Sequence, residues 1–175
     1  GKVDAVLLHP VAGLLILGAL LFVMFQAVFT WAAPVMDLID GGAGSDTLEG
    51  GDGSDSFLIS DDDQADSILG GEVRGDQDLL SFGNSVTNNG VTITATGNEA
   101  GTYAYQGSAS GSSGSYAQIE VISGTSQDDV INLAASGSDD TIWGQAGNDL
   151  VYAGAGNDLI DLGAGDDTLG DWTSD

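Results

Sequence analysis

Aspartates 140, 149, 158 and 167 stand nine residues apart, and each is followed two places on by an aliphatic side chain: Ile142, Val151, Ile160 and Leu169. Glycine recurs with the same period at Gly147, Gly156 and Gly165, two residues before the last three of these aspartates. A carboxylate supplies a hard anionic oxygen. Glycines permit positive φ and let a tight loop turn its backbone carbonyls inward. Calcium takes six to eight such oxygens at about 2.3 to 2.6 Å, so a carbonyl-rich loop with a carboxylate suits that ion. The same arrangement occurs in "GGAGSDTLE" (41–49) and "GGDGSDSFL" (50–58), which carry Asp46 and Asp55. The candidate metal ligands are therefore Asp46, Asp55, Asp140, Asp149, Asp158 and Asp167, with the loop glycines Gly147, Gly156 and Gly165.

The full unit is G-G-x-G-x-D-x-U-x, where U is apolar; its acid and apolar positions run without a break through 135–143, 144–152, 153–161 and 162–170, with part of the glycine set in each of the last three. The apolar eighth residue reads as the inward side chain of a very short strand. No single repeat can bury that side chain by itself, so several must stack. Composition alone also allows a disordered glycine- and aspartate-rich linker, but a linker has no reason to keep the period. Two further segments keep the acid and the apolar residue while losing glycines. "DDDQADSIL" (61–69) retains Asp66 and Ile68, two residues out of register; "GTSQDDVIN" (124–132) retains Asp129 and Ile131 and reads as an opening rung with a weak site.

Over residues 37–170 the chain resembles the RTX, or haemolysin-type calcium-binding, family. That resemblance implies that two nonapeptides form one turn of a right-handed parallel β-roll, with loops two repeats apart sharing an ion. It pairs Asp140 with Asp158 and Asp149 with Asp167, and stacks Ile142 on Ile160 and Val151 on Leu169. The implied cofactor is Ca2+, several ions per chain. Extracellular calcium modules work at about 10⁻⁴ to 10⁻³ M, which places the repeats outside the cell or on its surface.

The chain has 175 residues, with 27 acidic against two basic ones and a formal charge of −25. Such a polyanion has no affinity for nucleic acid or an anionic membrane surface. There is no cysteine and one histidine, His9. Neither H-E-x-x-H nor G-x-S-x-G occurs, so no zinc-protease or serine-hydrolase site can be built, and a non-enzymatic protein is expected. Residues 81–123 read as a β-rich spacer: "VTITAT" (91–96) alternates, Asn89-Gly90 is a hairpin-turn signal, and "YAQIEVISG" (116–124) is a second strand. "GSASGSSGS" (107–115) reads as a flexible loop. Tyr103, Tyr105 and Tyr116 read as strand packing rather than a ligand platform.

The first forty residues are of a different kind. No charge occurs between Asp4 and Asp37, and from Val11 to Ala33 only Gln26 and Thr30 are clearly polar. As a helix that run spans about 34 Å, enough to cross a hydrocarbon core. Trp31 suits the aromatic belt and Pro34 a helix stop. The expectation is a membrane span through residues 7–33; a secretory signal and a buried soluble helix are the rivals. Residues 1–40 resemble the first transmembrane segment of the bacterial ferrous-iron transporter B family, through His9-Pro10, Gly13, Phe25-Gln26, Phe29 and Trp31. No phosphate-binding G-x-x-x-x-G-K-[ST] loop accompanies it. The alternative reading that follows is a fragment of a ferrous-iron transport membrane protein, the chain being a chimera or misassembled fusion. Its join falls at Asp37-Leu38-Ile39-Asp40, which is also in repeat register: Asp37 lies nine before Asp46 and Ile39 nine before Leu48. The final "GDWTSD" follows directly on a repeat, and truncation at both ends is expected.

The expected architecture is mostly β: a parallel β-roll with an irregular β spacer, preceded by one transmembrane α-helix. Its divisions are 1–36, 37–80, 81–123 and 124–175.

Overall fold

One inward side chain per nine residues leaves each repeat a strand of about three residues, the remainder turning toward the next strand. The computed structural model describes residues 12, 14–22, 38–60, 65–71, 75–83, 89–107 and 112–170. It separates two units, Gly1–Val35 and Met36–Asp175.

In the second unit the strands are, in order, β1 (Leu38–Asp40), β2 (Thr47–Glu49), β3 (Ser56–Leu58), β4 (Ser67–Leu69), β5 (Leu79–Ser81), β6 (Val91–Gly97), β7 (Ala100–Tyr105), β8 (Ser113–Ala117), β9 (Val121–Ser123), β10 (Val130–Asn132), β11 (Thr141–Trp143), β12 (Leu150–Tyr152), β13 (Leu159–Asp161) and β14 (Thr168–Leu169). They form two sheets. One has six strands in the order β1-β3-β5-β9-β11-β13, parallel throughout. The other has eight, in the order β2-β4-β8-β7-β6-β10-β12-β14. Outside β6–β8, each successive strand joins the opposite sheet, so two repeats complete one turn. The unit is thus mostly β, with parallel sheets as in a β-roll.

The stacking partners follow the repeat. Ile142 lies beside Ile160 and Val151 beside Leu169. The degenerate segment also joins in: Ile68 lies beside Leu48, a separation of 20 residues rather than 18, so its two extra residues are taken up without losing the inward phase. The middle residue of nearly every short strand faces the core, including Leu48, Phe57, Ile68, Leu80, Ile122, Ile131, Ile142 and Val151. The end rungs are thinner. Ile39 and Ile160 are only partly buried, and Leu169 is 54 % exposed.

Between β5 and β9 the pattern changes. β6, β7 and β8 form an antiparallel meander whose outer strands rejoin the parallel array, β8 beside β4 and β6 beside β10. Period-two alternation in Val91–Gly97 buries Val91, Ile93 and Ala95. Tyr103, Tyr105 and Tyr116 are buried. The Phe82 ring lies 5.0 Å from that of Tyr103 and 5.9 Å from that of Tyr105, while the Tyr105 hydroxyl donates to the Ile59 carbonyl (2.8 Å). Tyr116 faces Gly101 across the strands, and Tyr103 faces Gly114. Each glycine leaves the space its tyrosine fills, since a Cβ on either would meet the ring. The tyrosines are packing residues here, and they make the centre of the unit its best-built part.

Three local expectations need correction. Asn89-Gly90 precedes β6 and makes no hairpin turn; the turn falls at Asn98-Glu99, where Glu99 takes φ 53°. The strand read over 116–124 is two strands in different sheets, because Gln118 at φ 60° redirects the chain between β8 and β9. Ser113, Gly114 and Ser115, read as loop, belong to β8; residues 108–111 lie outside the described residues.

In the first unit residues 14–22 are helical, α1, and its leucines are exposed. Among the described residues no helix is long and apolar enough to cross a membrane, and the expected transmembrane helix of 1–36 is not supported. Ala12 is helical too, and the remaining residues of that segment lie outside the described ones.

Candidate metal centres

The loops before the short strands carry the candidate ligands, and stacking brings these into ladders. The Asp140 backbone N–H donates to Asp158 Oδ1 (3.0 Å), and that of Asp149 donates to Asp167 Oδ1 (2.9 Å). The same link joins Asp46 to Asp66 (2.9 Å), Asp55 to Asp78 (2.8 Å) and Asp129 to Asp149 (2.9 Å). Asp66, Asp78, Asp149, Asp158 and Asp167 thus each hold the neighbouring loop through Oδ1. At Asp46, Asp140 and Asp149 the Oδ2 atom is buried without a hydrogen-bond partner. A buried carboxylate oxygen with nothing to accept from is costly unless a cation meets it.

The glycines divide into two roles. At the second and fourth positions of the loops φ is positive, as at Gly154 and Gly156. The first-position glycines do not need that freedom, contrary to expectation; they are small because oxygens close on them. A Cβ on Gly144 would stand 2.6 Å from Asp149 Oδ2 and against the Leu162 carbonyl oxygen. One on Gly50 would stand 2.5 Å from both Asp55 Oδ2 and the Gly70 carbonyl oxygen. Carbonyl and carboxylate oxygens therefore converge beside the first glycine of the loop.

Burial disfavours the charged form of Asp140 and Asp149. It pushes Asp140 up to about 6, with the Asp158 and Glu99 carboxylates adding and a hydrogen bond from Ser136 partly offsetting. Asp149 is likewise pushed up to about 6, by burial first and then by the charges of Asp129 and Asp167, against the hydrogen bond from the Asp129 backbone. Among the described residues there is no lysine or arginine. Neither is there any cluster of three or more His, Cys, Asp or Glu side chains. An ion held here would be coordinated by backbone carbonyls with one or two carboxylates at a time, the donor set calcium prefers.

A family model, the RTX calcium-binding nonapeptide repeat, matches in four copies over residues 36–57 and 134–169. These two blocks are RTX calcium-binding nonapeptide repeats. No curated protein matches the chain, and nothing in the comparisons supports a ferrous-iron-transporter segment in residues 1–40. The RTX loops contain Asp46, Asp55, Asp140, Asp149, Asp158 and Asp167, with Gly147, Gly156 and Gly165 at their fourth positions. Their residues fit calcium on the ground already given, most directly at Asp149, whose buried Oδ2 and the Leu162 carbonyl oxygen both close on Gly144.

The loop at 124–129 differs. Asp129 Oδ2 accepts the Thr125 backbone N–H (2.7 Å), and Oδ1 accepts both the Thr125 hydroxyl (2.9 Å) and the Val91 N–H (2.7 Å). Its carboxylate is satisfied by protein donors, which gives a physical reason for a weak site there.

Sequence reading overlooked two features. Asp78 and Glu120 continue the acid ladder, Glu120 Oε2 accepting the Asp78 N–H (2.8 Å). The signal was the acid-x-apolar triplet, present at Asp78-Leu79-Leu80 and Glu120-Val121-Ile122 but without glycines. The second is a ladder at the fifth loop position. Asp139 accepts the Asn157 N–H (2.8 Å), and Asn148 accepts that of Asp166 (2.9 Å). These links run in the opposite sense to those at the sixth position.

Proposed function

We propose that the RTX repeats make residues 36–175 a calcium-dependent, non-enzymatic module that acts outside the cytoplasm in structure or surface interaction. The observation carrying this reading is the buried Asp149 Oδ2, which has no hydrogen-bond partner and closes with the Leu162 carbonyl oxygen on Gly144; Oδ2 of Asp46 and Asp140 is buried without a partner as well. Bound calcium would neutralise the crowded carboxylates and tie neighbouring loops, so its binding free energy becomes folding free energy. The effect should be greatest over 153–170, where the apolar core is thinnest, and smallest around the aromatic centre. The absence of the two hydrolase motifs supports a non-enzymatic role.

Far-UV circular dichroism of chelated protein should gain β-signal when calcium is added. For sites with Kd of about 10⁻⁴ to 10⁻³ M, 10 mM calcium should stabilise by about 1.4 to 2.7 kcal/mol per site. Magnesium at equal concentration should do far less, because it favours rigid octahedral sites and keeps its waters. Identical spectra and melting points with and without calcium would sink the reading.

A further inference from the structure

Both sheets finish at the same two ends of the second unit, with β1 and β2 at one and β13 and β14 at the other. On its outer side none of these four strands pairs with another described strand. The backbone groups along such an edge are a template for a further strand. Leucines stand open there: Leu38 is 70 % exposed, Leu159 65 % and Leu169 54 %.

The two ends are complementary. In every sixth-position link the N–H of the earlier loop donates to Oδ1 of the later one. Because the sense is constant, one end keeps a spare donor, the Asp167 N–H, and the other a spare acceptor, Asp46 Oδ1, among the described residues. Close approach at the fourth-position glycines also runs one way. A Cβ on Gly156 would meet the Ser138 carbonyl oxygen, and one on Gly165 that of Gly147, each in the loop two repeats earlier. On Gly44 the nearest described atoms are those of its own loop's Asp46 carboxylate, 3.6 Å away. Gly44 therefore keeps room for an earlier loop that no described residue fills. The sequences match as well. β1 and β13 are both Leu-Ile-Asp, and "GAGSDTL" (42–48) differs from "GAGDDTL" (163–169) at one position.

We propose that a second copy of this chain stacks its β1–β2 end on the β13–β14 end, so that both sheets continue head to tail. Leu38 of one copy then lies beside Leu159 of the other, Ile39 beside Ile160 and Leu48 beside Leu169, while the Asp167 N–H donates to Asp46 Oδ1. The contact joins unlike ends, so it repeats from copy to copy. Copies with a formal charge of −25 repel one another, and calcium between the facing loops offsets that repulsion. The proposal thus rests on the calcium reading of the RTX loops.

Sedimentation velocity of the full chain, chelated and in millimolar calcium, tests it. Calcium should add a concentration-dependent association that is absent in chelator. Leu38→Lys and Leu159→Glu change exposed side chains, and circular dichroism checks that each variant still folds in calcium. Each alone sets a charge against the other copy's leucine and should lower the association constant about tenfold or more. An equal mixture of the two should recover it, since the introduced lysine and glutamate then face one another across adjacent strands. Association unchanged in both variants arises elsewhere, the apolar first unit included, and overturns the proposal. So does a wild type that gains β-signal in calcium yet stays monomeric. A wild type that gains no β-signal overturns the reading of the repeats instead.

Discussion

Asp149→Asn should stabilise the protein in chelator and destabilise it in calcium. The side chain is buried, its Oδ1 accepts the Asp129 N–H at 2.9 Å, and its Oδ2 has no partner. Asparagine keeps the first oxygen. It places an N–H₂ where Oδ2 stood, near the Leu162 carbonyl that flanks Gly144, so a buried acceptor without a donor becomes a donor with an acceptor. Relief of such an unsatisfied group is worth about 1 to 3 kcal/mol, or a rise of about 2 to 4 °C in Tm per kcal/mol for a unit of this size. With calcium present the substitution removes an anionic ligand, and affinity at that site should fall about tenfold or more, at 1.4 kcal/mol per tenfold. Thermal melts in chelator and in 10 mM calcium check the inversion. Destabilisation under both conditions would mean that the carboxylate is structural rather than metal-facing.

The same burial sets the pH dependence of the chelated protein. Asp140 and Asp149 in the fold sit at about 6, above the unfolded aspartate at about 3.9. Their contribution is therefore fully present below about pH 4 and is lost as pH rises through about 6. Chelated wild type should lose stability across that window, and Asp149→Asn should lose less. Calcium should reverse the trend, since its ligands must be deprotonated and its affinity falls as the carboxylates take up protons.

Gly156→Ala should abolish the last rungs even in calcium. Gly156 has φ 149°, and a Cβ there would collide with the Ser138 carbonyl oxygen and stand 3.0 Å from Asp158 Oδ1. The collision is with backbone, so no side chain can swing aside. Relief requires the 135–140 and 153–158 loops to part, which breaks both the Asp140–Asp158 and the Asn157–Asp139 links. A loss of more than about 3 kcal/mol is expected, at the severe end for single substitutions. Gly42→Ala is the control: φ is 70°, but nothing lies within 4 Å of its Cβ. It should carry only the left-handed backbone cost of about 1 to 2 kcal/mol. Urea melts in calcium compare the two, and equal losses would show that conformation rather than close approach dictates glycine at 156.

The regular part of this fold could be read directly from the sequence because its period is strict. With nine residues per repeat and two repeats per turn, Ile142 must meet Ile160, and Asp140 must meet Asp158. The centre was harder to read. There the separations between laddered acids are 20 for Asp46 and Asp66, 23 for Asp55 and Asp78, and 20 for Asp129 and Asp149. Loops without the full glycine set can vary in length, and a search for a fixed period passes over them. The fifth-position ladder was missed for another reason: its residues alternate between Asn and Asp, and either supplies the same Oδ1 acceptor. The Asn98-Glu99 turn carried no signal at all, since the loop it meets, at Gly137 and Ser138, lies 39 residues away.

The two-sheet winding has a consequence for how such a chain can change length. Each nonapeptide brings its own inward residue, so gain or loss of one whole unit keeps every apolar side chain in the core. It does, however, transfer all later strands to the opposite sheet. Two units restore the sheets as well, so eighteen residues are the neutral step of growth. A single residue added inside a three-residue strand has no such escape, because it turns the inward side chain out. The rungs with separations of 20 and 23 keep their inward residues in phase, so their surplus falls between strands. Length variants of this module should therefore differ by multiples of nine within the arrays, and by arbitrary numbers only in the turns around the aromatic centre.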